Sequence, residues 1–418
     1  MRILHINNQG TGTIYNQVVL PFMDALELHG AQNVFFSPDT INKEKVASRL
    51  KISLYNFSIF LKKTLRKFIT KEDYFFYNIF ENFSAFNTDD IIKDTCPDII
   101  IVYWVTGVIN AKLLKKLEKA TAAKIYWYLM DEAPLTGGCH YSWGCDGYYA
   151  KACRSCPAMK LSALSIISAS NFKTKNENIA QTNLTVIAAT SELKKQIGRS
   201  IIFREKKSIQ LLLGLNRNKY YPLAIDTITI NNTSLIRQQE KIYALIGSNL
   251  IEDRRKGVQY FIEALHIINN KIPDLHNRLE IIVIGNARNN IFDEQKLNVN
   301  TINIGYVNEA DLIKLYQFSD VLISPSIEDA GPLMVNQSIA CGTPVLAFDV
   351  GIVRDLIVNY ITGFKAERAN ADHLAEGLSY FIGLSLEEKN MLSKNCVRMA
   401  DSSLNINTQA KLFLENVE

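Results

Sequence analysis

No apolar run in these 418 residues approaches the roughly 20 that a helix needs to cross a bilayer. Charge of one sign is also scarce. Lys and Arg number 46 against 42 Asp and Glu, a formal net charge of +4, which argues against a nucleic-acid partner. There is no long repeat and no low-complexity tract. The first residues, MRILHINNQGTG, lack the pattern of a secretory signal, so a cytoplasmic location is expected. The seven cysteines are odd in number, and four fall between positions 139 and 156. That usage fits a reduced compartment and a local site better than a disulfide framework. What remains is a chain with 47% apolar and 21% charged residues, too long for one ordinary core. Two soluble globular domains are expected.

The rest of the chain is organised around Ser319 to Gly351, SDVLISPSIEDAGPLMVNQSIACGTPVLAFDVG. An apolar run stops at Ser324-Pro325, and a polar loop then carries Glu328 and Asp329. Gly331-Pro332 opens an amphipathic helix, Cys341-Gly342 closes it, and Val345 to Phe348 forms a second apolar run. This is strand, loop, helix, strand, the unit of a parallel α/β sheet. In such sheets ligands bind beyond the carboxyl ends of the strands, where helix N-termini offer amides to anions. Glu328 can accept hydroxyl protons there, and the amides around Gly331 and Leu333 suit a phosphate. A ligand with both a sugar and a phosphate uses every part of the loop.

Here the residues resemble the signature of retaining, nucleotide-sugar-dependent glycosyltransferases of GT-B architecture, family 4 in the usual classification. That pattern is Pro-Ser, a Glu, seven residues, a second Glu, then Ala-x-x-x-Gly-x-Pro-Val. The chain matches at Pro325, Ser326, Glu328, Gly342, Pro344 and Val345, and departs at the second acid, where Asn336 and Gln337 stand. The resemblance implies that Glu328 holds donor-sugar hydroxyls and that the second position meets the nucleotide ribose. An amide accepts such a bond without charge and more weakly. The implied fold is two Rossmann-like domains facing across a cleft, with a C-terminal helix crossing back to the first. The expected division is 1–223 for the acceptor, 224–390 for the nucleotide sugar, and 391–418 for the return.

In the first domain, Arg2 to Ile6 reads as a strand followed by a loop in which Gly10 and Gly12 allow close approach to a ligand, or make a plain turn. Residues 50–71 mix Leu, Ile and Phe with Lys51, Lys62, Lys63, Arg66 and Lys67. Two readings stand: a helical excursion covering the sheet, or a peripheral contact with the inner face of the plasma membrane. Pro97 to Trp104 and Ala123 to Met130 read as buried strands. Related transferases often end these strands with histidines; here Tyr103 and Met130 take those places, followed by Asp131, kept as a candidate catalytic residue.

The next segment, DEAPLTGGCHYSWGCDGYYAKACRSCP, reads as a Cys-rich insertion. Cys139, Cys145, Cys153 and Cys156 could close a structural zinc site, with His140 as a substitute ligand, or could be buried thiols or redox-labile disulfides. Its Thr-Gly-Gly-Cys-His-Tyr run resembles a bacterial surface-polysaccharide subgroup of the same family. Thr136 to Gly138 then either line the acceptor pocket or form a turn. The Asn-rich span from Asp226 to Ser234 reads as an interdomain linker.

In the second domain a strand from Ile242 to Ile246 leads to Gly247-Ser248, and Arg254-Arg255-Lys256 precede Gly257 at the mouth of a helix. Cations placed so can neutralise a diphosphate. Lys256-Gly257 matches the family; Ser248 stands where the family often has an Arg, which Arg255 can replace. The expected activity is transfer of a hexosyl-type residue from a nucleoside diphosphate sugar to a saccharide, free or lipid-linked, in surface polysaccharide synthesis. Glu328, Lys256, Arg255 and Asp131 would carry the chemistry, with no metal required. Two rival readings remain: a GT-B sugar-nucleotide epimerase, and a non-catalytic sugar-nucleotide-binding or scaffold subunit. Base, sugar, linkage and oligomeric state are not readable from the sequence.

Overall fold

The computed structural model describes residues 1–41, 46–93, 95–104, 106–247, 253–285 and 297–417. It divides into two compact units, Met1–Leu212 together with the segment from Gln409 onward, and Leu213–Thr408. The first unit therefore ends before the exit expected near Leu223, and the return begins at Gln409 instead of 391.

The first unit is built on a six-stranded parallel sheet. Its strands are β1 (Arg2–Ile6), β2 (Gln32–Phe36), β3 (Ile99–Val102), β4 (Lys124–Leu129), β5 (Leu184–Ala188) and β6 (Ser208–Gln210), ordered β2-β1-β3-β4-β5-β6. Every residue of Ile99–Val102 is buried, as expected for a central parallel strand covered on both faces. Among the helices are α1 (Leu20–Leu28), α2 (Val46–Ile69), α3 (Ala111–Thr121), α4 (Ser165–Ala180) and α5 (Ser191–Arg199). In α3 the buried Leu113, Leu114 and Leu117 share one side, and the Asn110 side chain caps the first turn by accepting from Leu113 N at 2.8 Å. Thr190 caps α5 in the same way, accepting from Leu193 N at 3.2 Å. Phe413 from the C-terminal segment packs edge-on against Phe22 and Tyr126, at 5.7 and 5.0 Å between ring centres.

The second unit repeats the plan. Its large sheet contains β9 (Ile242–Gly247), β10 (Leu279–Ile284), β11 (Asn300–Gly305), β12 (Val321–Ser324), β13 (Val345–Phe348) and β14 (Gly363–Ala366), ordered β11-β10-β9-β12-β13-β14. Helices α6 (Val258–Lys271), α7 (Leu333–Ala340), α8 (Ala371–Ile382) and α9 (Leu386–Ser403) are among those that surround it. Ahead of the sheet, the expected linker is instead an antiparallel hairpin, β7 (Thr227–Ile230) and β8 (Thr233–Ile236). Asn231 and Asn232 both take left-handed backbone angles, φ 48° and 64°, which a two-residue hairpin turn demands and asparagine tolerates. The asparagines mark a turn between alternating strands, not a linker.

In both sheets the strand order reverses, between β1 and β3 in the first and between β9 and β12 in the second. Ligands of open parallel sheets bind outside the carboxyl ends of the strands at such reversals. The loops after β1 and β3, and after β9 and β12, are therefore the places to look.

Candidate functional site

In the second unit two segments meet at the reversal: the turn Asp253–Gly257 and the loop Pro325–Pro332 after β12. Gly257 brings them together. It sits at φ +64°, and a Cβ there would lie 2.0 Å from the Pro325 carbonyl oxygen, so no other residue permits this approach. The backbone seals the contact, with Ile327 N donating to Arg255 O at 2.7 Å.

A charge network fills the junction. Lys256 Nζ donates to Asp329 Oδ2 at 2.6 Å, and Gly331 N donates to Asp329 Oδ1 at 3.1 Å. Burial alone would push the Asp329 carboxyl up. The Lys256 ammonium, the Arg255 guanidinium and the Gly331 amide outweigh it and hold the group below its ordinary 3.8. Arg255 is buried, with Nε donating to Asp253 Oδ1 at 3.1 Å and Nη2 to Asp253 Oδ2 at 2.5 Å. The guanidinium thus clamps its own turn, and the partly exposed Lys256 is the more accessible cation. Glu328 is buried to 9% exposure, and its Oε2 accepts from Arg368 Nη2 at 2.7 Å.

Gly247 ends β9, with Met334 nearby, and Ser248 lies outside the described residues. Helix α7 starts at Leu333, after Pro332, and no side chain caps it. Asn336 is buried; its Nδ2 donates to Leu213 O at 3.0 Å, and its Oδ1 has no hydrogen-bond partner among the described residues. Gln337 is also buried, accepting from Tyr316 OH and donating to Tyr220 OH, both at 3.0 Å. Its amide holds tyrosines together inside the unit. Sequence reasoning missed Asp329 as the counter-charge of Lys256 and Arg368 as the partner of Glu328. The adjacent Glu-Asp pair was the available signal for the first; forty positions separate the second pair, and no local pattern links them.

In the first unit, Gly10 N donates to Asp39 Oδ2 at 2.8 Å, and Gly12 takes φ +92° in the loop after β1. That loop is tied to the end of β3 by Asn8 N donating to Trp104 O at 2.8 Å. Tyr103 is buried, and its hydroxyl bonds His5 Nδ1 at 2.8 Å. Burial lowers the His5 pKa to about 4, so this imidazole is neutral at pH 7 and structural. Beyond β4, Asp131 Oδ2 lies 2.7 Å from His140 Nδ1, while the buried His140 Nε2 has no hydrogen-bond partner among the described residues. Asp131 borders a small cavity of about 30 Å³ with Asn78, Glu81, Tyr103, Trp104 and Lys175. The chain thus carries an imidazole held by Asp131, supplied from the insertion and not from a strand end.

The insertion is ordered by buried polar contacts. Lys175 Nζ donates to Ala133 O and Thr136 O at 2.7 and 2.8 Å, and Asn171 Nδ2 to Gly137 O at 3.1 Å. A Cβ on Gly137 would lie 2.3 Å from Ser168 O, so Thr136–Gly138 makes a tightly packed turn. Cys139, Cys145, Cys153 and Cys156 border one small cavity, and all four are free thiols. Among the described residues no three His, Cys, Asp or Glu side chains are grouped to hold a metal ion. Cys139 lies in a cluster with Phe76, Ile79, Ala158 and Met159, against which Cys156 also packs. Burial pushes the Cys139 thiol well above its ordinary range, Cys153 up to about 12, and Cys145 upward.

Residues 228–398 match the family model described as Glycosyl transferases group 1. The matched stretch contains Lys256, Glu328, Asp329 and Arg368. Over 233 residues the chain is 23% identical to the Campylobacter jejuni N,N'-diacetylbacillosaminyl-diphospho-undecaprenol alpha-1,3-N-acetylgalactosaminyltransferase, covering 51% of this chain and 59% of that one. The chain matches only 36% to 59% of the length of the first curated relatives. Among solved structures, sucrose-phosphate synthase from Thermosynechococcus elongatus aligns with 100% of this chain and 98% of its own, at TM-score 0.63 and 15% identity. The Anabaena protein HepE, in complex with UDP and glucose, aligns with 100% and 99% at TM-score 0.59 and 14% identity. At such identities the likeness is one of fold, and that fold is GT-B.

Proposed function

We propose that the chain is a retaining glycosyltransferase of family 4 type. It moves a hexosyl residue from a nucleoside diphosphate sugar to a saccharide acceptor, carried on a lipid, during surface-polysaccharide synthesis on the cytoplasmic side. The observation that carries this reading is the junction of the turn bearing Lys256 with the loop bearing Glu328, closed by the Lys256–Asp329 ion pair at the reversal of the second sheet. HepE, of the same fold, was captured with UDP and glucose, which supports a sugar nucleotide as donor. The Campylobacter relative is named for an undecaprenol-linked acceptor, which supports the lipid.

In this scheme Glu328 accepts hydroxyl protons of the donor sugar. Lys256 uses one of its three N–H donors on Asp329, and the others remain for the diphosphate. Charge growing on the leaving diphosphate strengthens that contact as the glycosidic bond breaks, so the ammonium favours the transition state over the ground state. Asn336, whose Nδ2 donates to the Leu213 carbonyl, would offer Oδ1 to a ribose hydroxyl. Asp131 with His140 would receive the acceptor hydroxyl.

The test is incubation with nucleoside diphosphate sugars and an extract of lipid-linked saccharides, following nucleotide release and the anomeric configuration of the product by NMR. Acceptor-dependent release with retained configuration supports the reading. An inverted product, or an isomer formed without acceptor, contradicts it, and the latter favours an epimerase.

A further inference from the structure

The small cavity beyond β3 and β4 is bordered by Asn78, Glu81, Trp104, Asp131 and Lys175 among others, and measures about 30 Å³. That volume admits roughly two water-sized groups. A ligand can therefore place a hydroxyl or a hydroxymethyl arm inside, but a ring must stay at the mouth. Trp104 is the most exposed of the residues that line it, at 36%, whereas Glu81 and Lys175 are 5% and 1% exposed. An indole left in water beside a polar cavity offers a flat apolar face for a ligand to cover.

That indole is held in place. Its ring centre lies 5.7 Å from the His140 ring, which in turn meets Tyr77 edge-on at 5.1 Å, and the Trp104 carbonyl accepts from Asn8 N. His140 is 2% exposed, and its Nε2 lacks a hydrogen-bond partner among the described residues. Buried polar atoms are rarely left so, and a ligand hydroxyl beside the indole would complete this one. The wall of the cavity favours proton donors. Glu81 and Asp131 are carboxylates that accept O–H groups, while Lys175 Nζ already donates to Ala133 O and Thr136 O.

We propose that Trp104 and Glu81 select the acceptor, whose terminal sugar is an uncharged pyranose. One C–H face of the ring stacks on the Trp104 indole, and a hydroxyl or hydroxymethyl arm enters the cavity and donates to Glu81. A pyranose has both parts that the site asks for, an apolar face and donors around its rim. A uronic acid in the same pose would bring its carboxylate against Glu81 and Asp131, which excludes it by like charge. The assignment of this sugar to the acceptor rests on the transferase reading, and binding measured without nucleotide keeps the two separable.

The experiment is a set of saturation-transfer NMR titrations of the full chain, without nucleotide. The probes are the methyl glycosides of glucose, galactose, mannose and N-acetylglucosamine, together with methyl glucuronide. The variants are Trp104→Ala, Trp104→Phe and Glu81→Gln. Trp104 is exposed, so its variants should fold; unchanged thermal unfolding checks that. Expected are binding of at least one neutral glycoside, with the strongest transfer to ring C–H protons, and none of the glucuronide. Trp104→Ala should weaken it about tenfold or more, Trp104→Phe should keep most of it, and Glu81→Gln should admit the glucuronide. A wild type that binds no neutral glycoside overturns the proposal. So does binding that Trp104→Ala leaves intact, or a glucuronide bound as well as its neutral parent. A nucleotide-induced rise in Tm without glycoside binding removes this inference and leaves the transferase reading standing; glycoside binding without any nucleotide response does the reverse.

Discussion

Lys256 and Asp329 form a 2.6 Å ion pair across the junction of two loops, and the carboxylate is also bonded by the Gly331 amide. Its folded pKa is lowered, so the pair's contribution is fully present above the ordinary carboxyl value of 3.8 and is lost as pH falls through the lower folded value. Asp329→Asn should therefore flatten the acid limb of the stability curve. At neutral pH it should cost about 3 kcal/mol, because Lys256 and Arg255 lose a buried counter-charge. Thermal unfolding of both proteins from neutral to acid pH checks this; parallel curves would count against it.

Gly257→Ala should destabilise the second unit strongly. The new methyl would lie 2.0 Å from the Pro325 carbonyl in a left-handed conformation, so the two loops must separate. A loss of about 2–4 kcal/mol is expected from strain and displaced backbone. Urea titration reads it directly.

Glu328→Gln keeps the side chain's shape but removes the charge that pairs with Arg368 and that the proposed reading offers to donor hydroxyls. It should lower kcat/KM roughly ten- to a hundredfold, the scale of a charge-assisted hydrogen bond. Arg368→Ala, at an exposed end of the same pair, should cost much less. Equal losses in steady-state kinetics would show that Glu328 acts only through its pairing.

On the proposed reading, His140→Gln should lower turnover with little change in affinity for the nucleotide, since Asp131 and His140 stand 2.7 Å apart in the first unit, remote in sequence from Lys256 and Glu328. Asp131→Asn, which loses the charge that orients the ring, should show the same split. A change in nucleotide affinity with intact acceptor kinetics would reverse the assignment.

The α/β plan was legible because it is written locally. The β12–loop–α7–β13 unit shows in one stretch of sequence through its apolar runs, its Pro-Ser stop and its Cys-Gly close. The hairpin β7–β8 was misread as linker because asparagines are common to both; only the alternating Thr and Ile on either side distinguish them. The partners of Glu328, Lys256 and Asp131 were hidden for another reason. Each pair is made by loops that the fold brings together, and no periodicity reports which side chain closes over which. The cysteine spacing allows a metal, but nothing in it reports that Cys139 packs with Phe76 and Met159.

The central claim is that Lys256 receives a nucleoside diphosphate. Thermal unfolding with UDP, GDP and ADP and their common sugars, on wild type and Lys256→Ala, tests it most directly, since a ligand of the folded state raises Tm by mass action. The account predicts a shift with one nucleotide family in the wild type and its loss in Lys256→Ala. A wild type that responds to none of them, or a shift that survives the substitution, would contradict it.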